Sequence, residues 1–84
     1  MVMKEEKAIL QELEQVSQRL EIEVIYDSFF GKGGLCRCKD RYYFIINENL
    51  SPREKIRLFL EGLSSLPLDN VWLPPRVREL LKKR

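Results

Sequence analysis

The chain contains no histidine. That absence removes the side chain used most often as a general base and most often as a transition-metal ligand, so imidazole-based triads and dyads are excluded. Cysteine is nearly absent as well: Cys36 and Cys38 are the only two, set one residue apart. Structural zinc takes four nitrogen or sulfur ligands, and one chain offers two; four thiolates would need two chains meeting at these residues. Long apolar runs are missing. The longest, Tyr42 to Ile46, falls far short of the ~20 residues that cross a bilayer, so no membrane partner is expected. The opening MVMKEEKAILQEL mixes charges of both signs and lacks an apolar stretch of the kind that marks export, which points to the cytoplasm. Asparagine and glutamine are scarce beside Glu, Lys and Arg, a balance that suits a thermophile.

What is present defines a small folded unit. With 84 residues, 44% hydrophobic and 33% charged, the chain is too apolar for disorder and too short for a second core, so residues 1–84 form one domain. Its net charge of +2 is unevenly spread. Residues 1–27 hold three basic and seven acidic side chains, whereas residues 28–84 hold twelve basic and six acidic. An acidic first helix and strand should therefore pack near a basic C-terminal half, the alternative being head-to-tail association between chains.

Periodicity orders the elements. Ile9, Leu10, Leu13, Val16 and Leu20 recur at three- and four-residue spacing, predicting an amphipathic helix from about Lys4 to Arg19. Leu20, Ile22, Val24 and Tyr26 then alternate with Glu21, Glu23, Ile25 and Asp27, the pattern of a strand with one buried face. Turn formers fill Asp27 to Gly34, and Lys39-Asp40-Arg41 separates two strand-like runs, Leu35 to Cys38 and Tyr42 to Asn47, as in a hairpin. Ser51-Pro52-Arg53-Glu54 places an N-cap, a first-turn proline and an acidic third residue in order, so a helix starts there. Ile56, Phe59, Leu60, Leu63 and Leu66 give it a buried stripe, and Pro67 should stop it. Pro74-Pro75 opens a last short helix with Val77, Leu80 and Leu81 inward, and Trp72 is expected to pack in the loop before it. The expected fold class is α+β, in the order helix, strand, strand, strand, helix, helix. Its three-stranded antiparallel sheet is a meander covered mainly on one face by helices.

The two cysteines admit several readings. Residues two apart on a strand share a face, about 6.7 Å apart along the chain, too far for the ~3.5–4.5 Å between β-carbons that a disulfide needs. Free cysteine is among the most buried residue types, so Cys36 and Cys38 are expected on the covered face, with Arg37 and Lys39 in solvent. The competing reading is a thiol enzyme or redox sensor in which Cys36 reacts and Arg37 holds its thiolate. Gly31-Lys32-Gly33-Gly34 does not make a phosphate loop, because no Ser or Thr follows the lysine and a strand, not a helix, comes next. Phe29 and Phe30 are expected to fill core, or else to mark a partner surface.

Two basic groups stand out: Arg76, Arg78, Lys82, Lys83 and Arg84 at the C-terminus, and Arg53, Lys55 and Arg57 on the preceding helix. Solvated helix faces account for them, with weak nucleic-acid binding as the alternative. No cofactor is expected and no catalytic residue is assigned. The chemistry left to such a chain is that of a non-enzymatic protein-interaction module, self-associating through its sheet or the Phe29 and Phe30 region.

Gly33, Gly34, Leu35, Cys36 and Arg37, followed by Pro75, Val77, Arg78, Glu79 and Leu80, resemble the matching stretches of a small family of bacterial proteins of about this length with no assigned activity. The run YYFIINENLSPREKIRLFLEGLSSL is similar to the core of the ImmA/IrrE-type metallopeptidases, where a strand ending in Asn leads through a loop into a helix bearing His-Glu-x-x-His. That resemblance spans roughly Glu21 to Leu66. At the motif, this chain reads Leu60-Glu61-Gly62-Leu63-Ser64, so the resemblance implies a scaffold that keeps the acid Glu61 and lacks both imidazoles.

Overall fold

A computed structural model describes residues 4–29 and 31–83. Helix α1 (Lys4–Arg19) forms where the apolar stripe predicts it, burying Leu13 and Val16 completely or nearly so. Ser17 shares that buried face because its hydroxyl donates to the Leu13 carbonyl at 2.8 Å, which satisfies an otherwise costly polar group. The chain then reverses through Glu21, whose φ of 61° is left-handed, so strand β1 (Ile22–Asp27) starts two residues later than the alternation implies.

Strands β2 (Gly33–Cys38) and β3 (Arg41–Asn47) make the expected antiparallel hairpin, with Cys38 opposite Arg41 across a turn in which Lys39 takes a φ of 58°. The meander, however, is not formed. Strand order is β1-β3-β2, and β1 runs parallel to β3, from Ile22 beside Tyr42 to Asp27 beside Asn47, so the sheet is mixed rather than purely antiparallel. The cause lies in the link from β1 to β2, whose described residues Phe29, Gly31 and Lys32 are tied to the C-terminal end of β3. Asn47 fastens that crossing: its side-chain amide donates to the Phe29 and Gly31 carbonyls at 3.0 and 2.7 Å, and its backbone amide donates to Lys32 at 3.0 Å. Gly31, at φ 102°, supplies a backbone conformation that other residues adopt only with strain.

Helix α2 (Pro52–Ser64) begins at the predicted cap, where the Ser51 hydroxyl accepts from the Glu54 amide at 3.2 Å. It ends at Ser64, before Pro67 is reached, because the Ser65 amide and hydroxyl both donate to the Gly62 carbonyl, at 3.1 and 2.6 Å. Its buried face carries Leu58, Phe59, Leu60, Gly62 and Leu63. Phe59 meets Phe44 of β3 with ring centroids 4.8 Å apart and planes tilted by 58°, a favourable edge-on arrangement at the centre of the core.

Helix α3 (Pro75–Lys82) packs on α1 and α2 through the fully buried Val77. The charge asymmetry resolves inside the fold: Arg76 pairs with Glu12 at 2.7 Å and Arg53 with Glu6 at 3.6 Å, joining the acidic first helix to the basic half. Trp72 does not pack in its loop as expected. It is 60% exposed, with the Arg19 guanidinium 5.3 Å from its ring centre, because Leu73 is the residue of that loop that enters the core. Among the described residues no helix is long and apolar enough to cross a membrane.

Candidate functional site: an uncovered sheet face carrying two thiols

Helices α1 and α2 lie against one face of the sheet, and side-chain alternation decides which residues they cover. Ile22, Val24, Leu35, Tyr42, Phe44 and Ile46 point to the helices and belong to the core or pack against it. By the same alternation Glu23, Ile25, Asp27, Tyr43, Ile45, Gly34, Cys36 and Cys38 turn the other way. Register arranges them in rows. Ile25 and Gly34 flank Ile45, Glu23 and Cys36 flank Tyr43, and Cys38 lies beside Arg41. Ile25, Tyr43 and Ile45 are half-buried, and none of the three joins the core cluster of described residues. A β-carbon on Gly34 would meet nothing within 4 Å, so the space above that row is open.

The cysteines are the main correction. Both are free and exposed, not buried. Leu35 decides this, because it takes the covered position opposite Phe44 and under Gly62, which forces Cys36 and Cys38 to the opposite face. The signal was in the strand: of Leu35 and Cys36, the larger apolar side chain marks the inward parity. Cys36 makes only a long sulfur contact to the Gly34 carbonyl, at 3.8 Å.

Arg37 does not share the thiols' face. Its guanidinium lies 5.9 Å from the Tyr42 ring centre, on the helix side but beyond helical cover, and its Nε donates to the Lys39 carbonyl at 3.2 Å. Of the three cations near the thiols in sequence, Arg37, Lys39 and Arg41, the one on the thiols' own face is Arg41, the cross-strand neighbour of Cys38. At the hairpin end, a cleft of about 630 Å³ lined by Gln18, Glu21, Glu23, Asp40, Arg41 and Tyr42 adjoins this rim and carries charges of both signs.

The remaining sequence candidates are dispersed. Phe29 is half-buried at the far end of β3 from Cys38, held by the Asn47 clasp, and Phe30 lies outside the described residues. In the basic group, Arg76 is engaged by Glu12 and Arg78 donates to the Leu73 carbonyl at 3.1 Å. Lys82 and Lys83 are exposed, and Arg84 lies outside the described residues. On α2, Arg53 pairs with Glu6, Lys55 sits 5.6 Å from the Tyr26 ring centre, and Arg57 is exposed.

The stretch that resembles a zinc-binding helix does not fit zinc. Leu60, Gly62 and Leu63 are buried in the core, and Ser64 turns its hydroxyl to the Glu61 carbonyl at 2.8 Å. Among the described residues no group of three or more His, Cys, Asp or Glu side chains is placed to hold a metal ion. No protein-family model matches the chain, and no curated protein and no solved structure matches it.

Proposed function

We propose that this chain is a non-enzymatic interaction module that self-associates through the uncovered face of its sheet. The observation that carries the reading is the row of Ile25, Tyr43 and Ile45 on the face the helices leave open. A sheet packs on a second sheet about 10 Å away through such side chains, and a two-fold axis makes one surface its own partner. The rim of the face is charged and its centre apolar, with Glu23 and Asp27 along β1 and Arg41 at the start of β3, the composition usual for specific interfaces. A domain of this size has a thin core, and covering Ile25 and Ile45 would add to it.

Sedimentation velocity over a wide concentration range tests the reading. The expected result is a concentration-dependent dimer that Ile45→Lys converts to a monomer of unchanged helical content. A wild-type protein that stays monomeric at the highest concentrations reached removes it.

The exposure of Cys36 favours a second reading, a thiol-based redox sensor, with Arg41 rather than Arg37 as the cation beside the thiols. It requires Cys36 in the folded protein to react with an alkylating reagent faster than in an unfolded peptide. Equal or slower reaction ends it.

A further inference from the structure

We propose that Cys36 and Cys38 together form a binding site for a single soft, two-coordinate d10 cation of the copper(I) class. The pair lies at the β2 edge of the face proposed for self-association, but the site draws its donors from one strand of one chain.

Number and placement of the donors carry it. Both thiols are free, exposed and on one face of β2, so rotation about their Cα–Cβ bonds can turn both into the same volume of solvent, Cys36 giving up its long contact to the Gly34 carbonyl. No third His, Cys, Asp or Glu side chain is grouped with them among the described residues, which leaves a donor set of two sulfurs. Zinc takes four ligands and magnesium or calcium takes oxygen, so neither suits this pair; soft thiolates with an open count of two select copper(I).

Distance makes the same selection. Same-face positions on a strand are about 6.7 Å apart, and a disulfide, with its sulfurs only ~2.05 Å apart, cannot close that gap without bending the backbone. Two metal–sulfur bonds of up to ~2.3 Å hold the sulfurs as much as roughly 4.5 Å apart. Two side chains leaning toward each other in staggered rotamers reach that span. The spacing that forbids a disulfide thus admits a metal bridge.

Charge completes the site. Each thiol releases its proton to solvent on binding, so one monovalent cation and two thiolates make a complex of net charge −1, and two protons leave per ion. Arg41 shares that face beside Cys38, and with Arg37 and Lys39 it outnumbers Asp40 of the same hairpin and Glu23 two strands away, so the surrounding charge favours the anionic complex.

The test titrates the reduced, full-length chain anaerobically with copper(I) presented by a coloured chelator, bathocuproine disulfonate. The expected result is one copper(I) withdrawn per chain. Cys36→Ser and Cys38→Ser should each weaken binding, by on the order of 100-fold, since a single thiolate cannot form the bridge. The discriminating variant is Arg37→Cys with Cys38→Ser, which keeps two thiols but sends them to opposite faces of β2. It should bind no better than the single serine variants, with circular dichroism unchanged. Wild-type binding by that double variant, full binding by either serine variant, or no withdrawal of copper by the wild-type chain overturns the proposal.

Discussion

Gly62 lacks a side chain where Phe44 and Leu35 fill the space one would need. A β-carbon there would fall 2.7 Å from Phe44 Cζ in the core and 3.0 Å from Cβ of Leu35, which packs against the core. Alanine gains about 1 kcal/mol over glycine in helix propensity, but wedging a methyl group against a fully buried ring costs about 1–3 kcal/mol and displaces the Phe44–Phe59 pair. Gly62→Ala should therefore lower the urea midpoint, against the direction propensity alone gives. Tyr26 sets a different test. Its hydroxyl donates to the Glu14 carboxylate, and burial first, then that hydrogen bond and the carboxylate charge, raise its pKa above the ordinary value near 10. A folded-state pKa above the unfolded one means a stabilising contribution that is whole below about pH 10 and is lost as pH rises from there toward the folded value. Between about pH 9 and about pH 11 the wild-type denaturation midpoint should fall more than that of Tyr26→Phe; parallel losses in the two proteins would show that Tyr26 carries none of the slope. The place of the thiols was legible at this scale too, because the strand's inward parity follows from Leu35. It is hidden only if cysteine's general preference for burial is allowed to outweigh the larger neighbour.

Secondary-structure elements were legible in proportion to how local their determinants are. The stripe of α1 and the cap of α2 are written within a few residues, and both stand where they are read. Ser51→Ala should cost about 1 kcal/mol by leaving the Glu54 amide without its acceptor, measurable as a shift in midpoint with unchanged cooperativity. The end of α2 is less visible, since a serine cap closes it before the proline that signals a stop. The partner of β1 is not legible at all from period-2 alternation, which says which face a residue takes and nothing about which neighbour its strand takes. That choice rests on Asn47, whose side chain meets the carbonyls of Phe29 and Gly31, eighteen and sixteen residues away in the chain. Asn47→Ala should leave those carbonyls without their donor and loosen the crossing loop. The measurement is hydrogen exchange, with faster exchange expected in residues 28–33 than in α1.

At the scale of the whole molecule, a single core links every element. Leu13 and Val16 of α1, Phe44 of β3, Phe59 of α2 and Val77 of α3 share one buried cluster, so the terminal helix has no hydrophobic support of its own. Unfolding should be one transition, with Trp72 fluorescence and far-ultraviolet circular dichroism superimposing across a urea titration; an earlier change in Trp72 would show α3 leaving first. In the ion pairs joining the two halves the arginines face solvent while the Glu6 and Glu12 side chains are mostly covered, so each pair ties a helix surface of one half to the other. The uncovered sheet face likewise emerges only at this scale, because it depends on three helices gathering on one side. Strand order has a last consequence, for synthesis. The middle strand is the third to be made, so on a ribosome β1 and β2 emerge with the place between them empty, and no backbone ladder closes until β3 slots in. The nascent chain can hold α1 and little else until then, and its sheet assembles in one late step.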